Sequence, residues 1–234
     1  MRRLNLQGQW NRTRFLDRLA TVSLSVFLGL SGFLQLTRVV AAIRDGNGVL
    51  ALYQALIGIS SVIMATLVLT RKPSVAKGNG WSPRVTAAIG TFIVFPLGAL
   101  PLTWNPGWLL GFTSGVLILS YVWIVWALLT LRRSFSVFPE ARELITHGPY
   151  AIVRHPLYAV YFVTYACVVL PRIGPVSILL MIIGITAEVM RSRNEERILS
   201  STFPEYAAYA RRVPAFFPAR FVTSERRDQA IGAT

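Results

Sequence analysis

The stretch HGPYAIVRHPLYAVYFVTYACVVLPRIGPVSILLMIIGITAEVMRSRNEER, residues 147–197, decides how the rest of the chain is read. Two apolar runs, about 156–170 and 175–190, are separated only by Pro171, Arg172, Ile173 and Gly174. Each is shorter than the roughly 20 residues that a comfortable bilayer crossing needs. The proline and glycine predict a turn between them, and so a tight helical hairpin. A hairpin returns the chain to the surface it left. The polar segments RRSFSVFPEARELITHGPYAIVRH before it and RSRNEERILSSTFPEYAAYARRVPAFFP after it are therefore brought to one membrane face, close together.

Working outward, the 234 residues are 53% hydrophobic and only 15% charged, with a mean hydropathy of +0.52. That places the chain among membrane proteins. Four further apolar spans run about 19–43, 49–70, 85–104 and 107–131. The expected fold class is an all-α integral membrane protein with about six transmembrane helices, a short C-terminal helical hairpin and cytoplasmic cofactor-binding segments. Residues 1–131 form an N-terminal four-helix region, 132–218 a C-terminal region built on the hairpin, and 219–234 a polar tail. Small residues such as Ser25, Gly29, Ser31, Gly32 and Gly58 are expected to let helices approach closely.

Basic residues in short loops stay on the cytoplasmic side. Arg2, Arg3, Arg12, Arg14 and Arg18 precede the first span, Arg71, Lys72, Lys77 and Arg84 fill the second loop, and Arg132, Arg133, Arg142 and Arg154 follow the fourth span. The intervening loops carry little charge, so both termini are expected in the cytoplasm. The net charge of +14 lies beside apolar spans and not on a soluble module, which excludes nucleic acid as a partner and favours anionic headgroups. The first span is too long for a cleaved signal peptide, and no small-residue cleavage site follows it. Cys167 is the only cysteine and sits in an apolar run, so neither a disulfide framework nor a metal cluster can be built. Arginine outnumbers lysine and no endoplasmic-reticulum retention signal ends the sequence, pointing to a bacterial inner membrane.

The polar segments carry the chemistry. His155 before Pro156 is pushed towards an extended conformation, and Pro156 suits the first position of a helix. The free amide groups of that helix start, with Arg154 and His155, predict a positive, donor-rich pocket suited to an anion such as a carboxylate. The same residues also read as a histidine cap with Tyr150 and Tyr158 as interface aromatics. Glu188, Arg191 and Glu195 are spaced three and four apart and share a helix face. Glu188 lies in an apolar run, where an ionised group is costly without a partner.

GPYAIVRHPLY, followed across the hairpin by EERIL and FPEYAAYARRVP, resembles the isoprenylcysteine carboxyl methyltransferase family; phospholipid methyltransferases are similar relatives. The resemblance covers roughly residues 130–218. It implies an integral membrane enzyme that uses S-adenosylmethionine. Arg142, Glu143, Leu144, Ile145, Tyr150, His155, Pro156, Leu157 and Tyr158 then correspond to cofactor contacts, Glu195 to the acidic contact to the cofactor, and Arg191 to the catalytic group that meets the substrate. No metal is implied. Two positions depart from the family pattern, with Val160 and Pro204 where glycines are usual. The absence of a GxGxxG loop after a strand excludes a soluble Rossmann-type methyltransferase.

The partners implied are the lipid bilayer and a lipophilic small molecule or prenylated acceptor. A carboxylate acceptor is favoured because it is already a nucleophile and needs no general base. A lipid amine acceptor, a sterol-type reductase using a nicotinamide cofactor, and a noncatalytic membrane scaffold are the alternatives. The pair Glu195 and Glu196 disfavours the doubly phosphorylated nicotinamide ligand.

Overall fold

The computed structural model describes residues 2–78, 82–104, 106–138 and 140–218, and side chains from Thr21 onward together with Leu19. The tail expected over 219–234 and the arginines of the first 18 positions lie outside that description. The chain is mostly helical: α1 (Arg2–Arg44), α2 (Gly48–Thr70), α3 (Ser82–Phe92), α4 (Val94–Ala99), α5 (Gly107–Leu131), α6 (Pro156–Val169), α7 (Pro175–Thr202) and α8 (Tyr206–Arg212). One short antiparallel ladder joins β1 (Ala76–Lys77) to β2 (Glu140–Ala141).

Among the described residues, four helical stretches are long and apolar enough to cross a membrane: Thr21–Arg44, Gly48–Thr70, Gly107–Ser134 and Pro175–Thr202. This is an all-α membrane protein, but the expected six crossings are not all single long helices. The span expected over 85–104 is broken between α3 and α4. Pro96 is the cause, because it has no N–H for the Phe92 carbonyl and its ring crowds that carbonyl. Leu100 and Pro101 then end α4. The second arm is longer than its apolar run: α7 continues through the charged segment for 28 residues, about 42 Å at 1.5 Å per residue, which puts Glu188, Arg191 and Glu195 on one helix as their spacing predicts. Arg191 to Thr202 contain no helix breaker, and the helix ends at Phe203, where Pro204 disfavours the α conformation of the residue before it. α6, with 14 residues, is only about 21 Å long.

α1 and α2 form a hairpin whose second helix is capped by Asn47, its side chain accepting from Leu50 N at 3.0 Å. The close approach expected of Gly32 and Gly58 is present: a Cβ on Gly32 would lie 2.9 Å from Val62 and one on Gly58 3.3 Å from Gln35. Gly29 has no such neighbour within 4 Å. Buried hydroxyls satisfy themselves on the preceding turn, as Ser25 does on Thr21 O and Ser120 on Val116 O. Leu28, Ala65, Val68, Ile124, Leu128, Phe135, Val137 and Val160 form one core, joining α1, α2, α5 and α6. Leu97, Tyr165 and Val169 form a second, between α4 and the hairpin. Val160, the first departure from the family pattern, is thus a core residue, whereas Pro204 is exposed in the turn before α8.

The segment between α5 and α6 is tied down before it reaches the hairpin. Arg133 Nε donates to Thr70 O at 2.6 Å, Lys72 N to Arg133 O at 2.8 Å, and the β1–β2 ladder follows. Gly148 then turns the chain with φ +60°, packed so closely on α5 that a Cβ would lie 3.0 Å from Thr130 Oγ1. A side chain there is disfavoured by both conformation and space, so Gly148→Ala is expected to cost about 1–2 kcal/mol or more. Thermal unfolding of the purified variant measures it; an unchanged midpoint contradicts the turn geometry.

Candidate functional site

Two adjoining clefts open where α5, the 134–155 segment, the start of α6 and the charged half of α7 converge. One is larger than the other, and Leu131, Tyr150, Arg154, His155 and Glu195 line both.

The structure distributes the residues singled out from the sequence between these clefts. Tyr150, His155, Pro156, Leu157, Tyr158, Arg191 and Glu195 line the larger; Arg142, Glu143, Leu144 and Ile145 line the smaller, beside Tyr150, His155 and Glu195 again. The two polar segments therefore meet. Tyr158 donates to Glu195 Oε2 at 2.8 Å, and His155 Nε2 lies 2.9 Å from Glu196 Oε1.

Pro156 starts α6 at its first position as expected, but His155 makes no side-chain cap, so the reading of it as a cap is set aside. The positive, anion-accepting pocket expected at Arg154 and His155 is also corrected, because the chain supplies its own carboxylate there. Glu196 Oε1 accepts from Arg154 Nη2 at 2.8 Å and Nε at 3.0 Å, and pairs with His155. The backbone N–H groups of the two residues before the helix are taken as well. Arg154 N donates to Pro214 O at 2.8 Å and His155 N to Ala215 O at 2.9 Å. Arg154 Nη1 in turn binds the carbonyls of Ala210 and Val213, which end α8, a favourable place for a cation. Phe216 closes over His155 at a ring separation of 5.5 Å, with Tyr158 5.4 Å away.

Arg191 is 5% exposed and held on three sides. Nη2 donates to Val137 O at 2.7 Å, Nη1 lies 3.4 Å from Glu188 Oε2, and the guanidinium sits 5.1 Å over the Tyr158 ring. Its buried Nε has no hydrogen-bond partner among the described residues. At the smaller cleft Arg142 is buried against Glu140, again with Nε unpartnered. Burial lowers the Arg142 guanidinium from its ordinary range, while Glu140 opposes that shift. Glu143 is exposed and reaches outward to Lys72 and Ser134, whose hydrogen bonds hold its carboxyl below the usual range. Burial pushes the Tyr150 phenol far up, with Glu195 adding to the effect, so it stays neutral. Its carbonyl accepts from Tyr209 at 2.7 Å.

The clefts differ in character. The larger extends away from Arg191 past Leu24, Leu28, Met64, Ile124 and Leu128, on three helices of the chemically plain N-terminal half. The smaller is lined by acids, arginines and tyrosines. An apolar slot leading to a paired guanidinium, joined to a polar compartment, can hold a lipophilic acidic molecule in one part and a polar ligand in the other. Sequence reasoning did not find Glu196 as the partner of Arg154 and His155, nor the carbonyls of Val137, Pro214 and Ala215. Successive helical positions face different directions, and backbone acceptors leave no mark in side-chain identity. A glutamate doublet was the one visible signal.

Residues 110–201 match the isoprenylcysteine carboxyl methyltransferase family. Among individual proteins, the chain is similar to the nickel-cobalt-cadmium resistance protein NccN of Alcaligenes xylosoxydans xylosoxydans, 42% identical over 82 residues, which are 34% of this chain and 38% of that protein. It is 39% identical over 84 residues to the cobalt-zinc-cadmium resistance protein CzcN of Cupriavidus metallidurans, covering 32% of this chain and 35% of the relative. Over these two the match spans little more than a third of the relative's length. A protein-S-isoprenylcysteine O-methyltransferase B of Arabidopsis thaliana is 28% identical over 200 residues, 80% of this chain and 95% of the relative.

The latch of Arg154, His155 and Glu196 is half-buried, and hydrogen bonds to charged groups of this kind contribute about 1.5–3 kcal/mol. Glu196→Gln is expected to lower unfolding stability by about that amount and to speed proteolytic cleavage near residues 213–217. Unchanged cleavage kinetics would show that the latch does not hold the C-terminal strap.

Proposed function

Residues 110–201 belong to the isoprenylcysteine carboxyl methyltransferase family, and from that premise we propose that this chain transfers a methyl group from S-adenosylmethionine to the carboxylate of a lipidic or prenylated acceptor. The observation that carries the reading is that an apolar slot ending at Arg191 and Tyr158 joins a polar compartment at Tyr150, His155 and Glu195.

The residues present fit the cofactor. The polar compartment offers the unpartnered Arg142 Nε for a carboxylate group, the Glu195 carboxylate for an ammonium or hydroxyls, and Tyr150, His155 and Tyr158 as rings around a cation. Arg142, Leu144, Ile145, Tyr150, His155, Pro156, Leu157, Tyr158 and Glu195 would hold it, with Glu143 at the exposed rim. Bound there, S-adenosylmethionine supplies an already activated methyl group, because the sulfur leaves as a neutral thioether keeping the C–S electron pair while the acceptor oxygen takes the methyl carbon.

The protein's own residues have positioning and electrostatic tasks. Arg191 meets the acceptor carboxylate with its free Nε–H edge. Tyr158, fixed by Glu195 and stacked under Arg191, separates the two ligands and excludes water. Leu24, Leu28, Met64, Ile124 and Leu128 take the apolar part of the acceptor, which enters from the bilayer past α1 and α2 instead of between the last helices. We place both termini in the cytoplasm of a bacterial inner membrane, with the α3–α4 pair and the α6–α7 hairpin completing six membrane-embedded units.

Incubating membranes that contain the protein with methyl-labelled cofactor and extracting the lipids tests the reaction. Label released as methanol by base identifies a methyl ester. Base-stable label identifies an amine acceptor, and no labelled lipid removes the reading. Arg191→Lys keeps the charge but loses the planar fork, so kcat/KM is expected to fall about 100-fold while cofactor affinity stays; calorimetry and initial rates separate the two. For the topology, alkaline phosphatase fused after residue 105 is expected to be active and after residue 78 inactive, and the opposite pattern inverts the orientation.

A further inference from the structure

Glu188 is 0% exposed and lines neither cleft. Its surroundings are specific. Oε2 lies 3.4 Å from Arg191 Nη1, and the Tyr165 hydroxyl, which donates to Gly90 O at 2.9 Å, lies 3.4 Å from Oε1. Gly90 on α3 leaves the room: a Cβ at that position would stand 2.5 Å from Oε1 and 2.8 Å from the carboxyl carbon. A helix-surface ladder of charges would need neither a glycine from another helix nor a buried tyrosine. Stability does not account for the arrangement, because apolar residues of similar volume commonly serve as well as a buried ion pair.

We propose that Glu188 is a positioning residue for the transfer reaction, acting through Arg191: it fixes Nη1 while the Val137 carbonyl fixes Nη2, leaving the Nε edge as the donor that meets the acceptor. The inference rests on the methyltransferase reading. It gives α3 a role as well, since Gly90 and the Tyr165 hydroxyl together set where the carboxylate stands. The guanidinium has a planar fork, so its free edge faces one direction only when its other nitrogens are held.

Truncating Glu188 to alanine would leave a cavity and a buried guanidinium with no side-chain acceptor at Nη1, and would endanger the fold. The test therefore uses Glu188→Gln, which keeps the shape, and Gly90→Ala, which displaces the carboxylate without changing any charge. Both are compared with the full-length wild type in detergent. Phenylglyoxal modification of Arg191, followed by mass spectrometry, reads how firmly the guanidinium is held. Transfer of labelled methyl to S-farnesylated N-acetylcysteine reads the reaction.

In both variants Arg191 is expected to react about tenfold faster and kcat to fall about 10- to 100-fold, with the Kd for S-adenosylmethionine within about twofold, as expected for lost orientation and not lost binding. Glu188→Asp should recover part of kcat. Unchanged Arg191 modification in both variants overturns the proposal. So does a loss of activity that moves in step with cofactor affinity and unfolding temperature, which marks a merely structural role. A wild-type chain that methylates no acceptor counts against the methyltransferase reading itself, and the modification rates alone then decide whether Glu188 holds Arg191.

Discussion

A guanidinium and a carboxylate taken out of water lose several kcal/mol of hydration each, and only a partner with good geometry returns it. Arg191 and Glu188 are placed under that constraint where the apolar half of α7 meets its charged half, and much of the neighbouring architecture answers to it. Val137 presents its carbonyl, Tyr158 its ring face, Tyr165 its hydroxyl, and α3 a glycine where any side chain would intrude. These contributors come from three separate stretches of sequence, α3, the segment before α6, and α6 itself. The broken third span fits the same picture, since α3 is a short helix packed on α7 and contributes a backbone surface at Gly90.

The polar end is organised by a second charge arrangement of different design. Glu196 neutralises Arg154 and hydrogen-bonds His155, and Arg154 also binds the last carbonyls of α8. The segment 213–217 is thereby laid across the mouth of α6. Charge that might have attracted a ligand instead fastens the chain to itself. The unpartnered donors left at Arg142 and Arg191 are where the protein's own groups stop satisfying one another.

The apolar slot shows why the N-terminal half is not mere anchorage. Leu24, Leu28, Met64, Ile124 and Leu128 carry no chemistry of their own, yet they line the larger cleft that reaches Arg191. In a membrane a lipophilic ligand gains little by leaving hydrocarbon for an apolar wall, since both are equally apolar. Discrimination then falls to shape and to the polar group at the slot's end.

From residues alone one reads membrane spans, the helix break at Pro171 to Gly174, the helix start at Pro156, and the need of Glu188 for a partner, because these follow from hydropathy, from proline geometry and from the cost of an unpaired charge. The family motif likewise marks out the residues that line the clefts. Sequence misjudged the span at 85–104, where hydropathy concealed the break at Pro96, and the reach of the second apolar run, which is short by itself but is extended by the good helix formers of the charged segment into a helix long enough to cross. It left open which carboxylate pairs with which base. That choice belongs to the tertiary structure: whether Glu195 or Glu196 meets His155, whether Val137 offers its carbonyl, and whether Gly90 stands beside Glu188 depend on helix rotation and close approach between distant segments, and no local pattern of side chains encodes those distances.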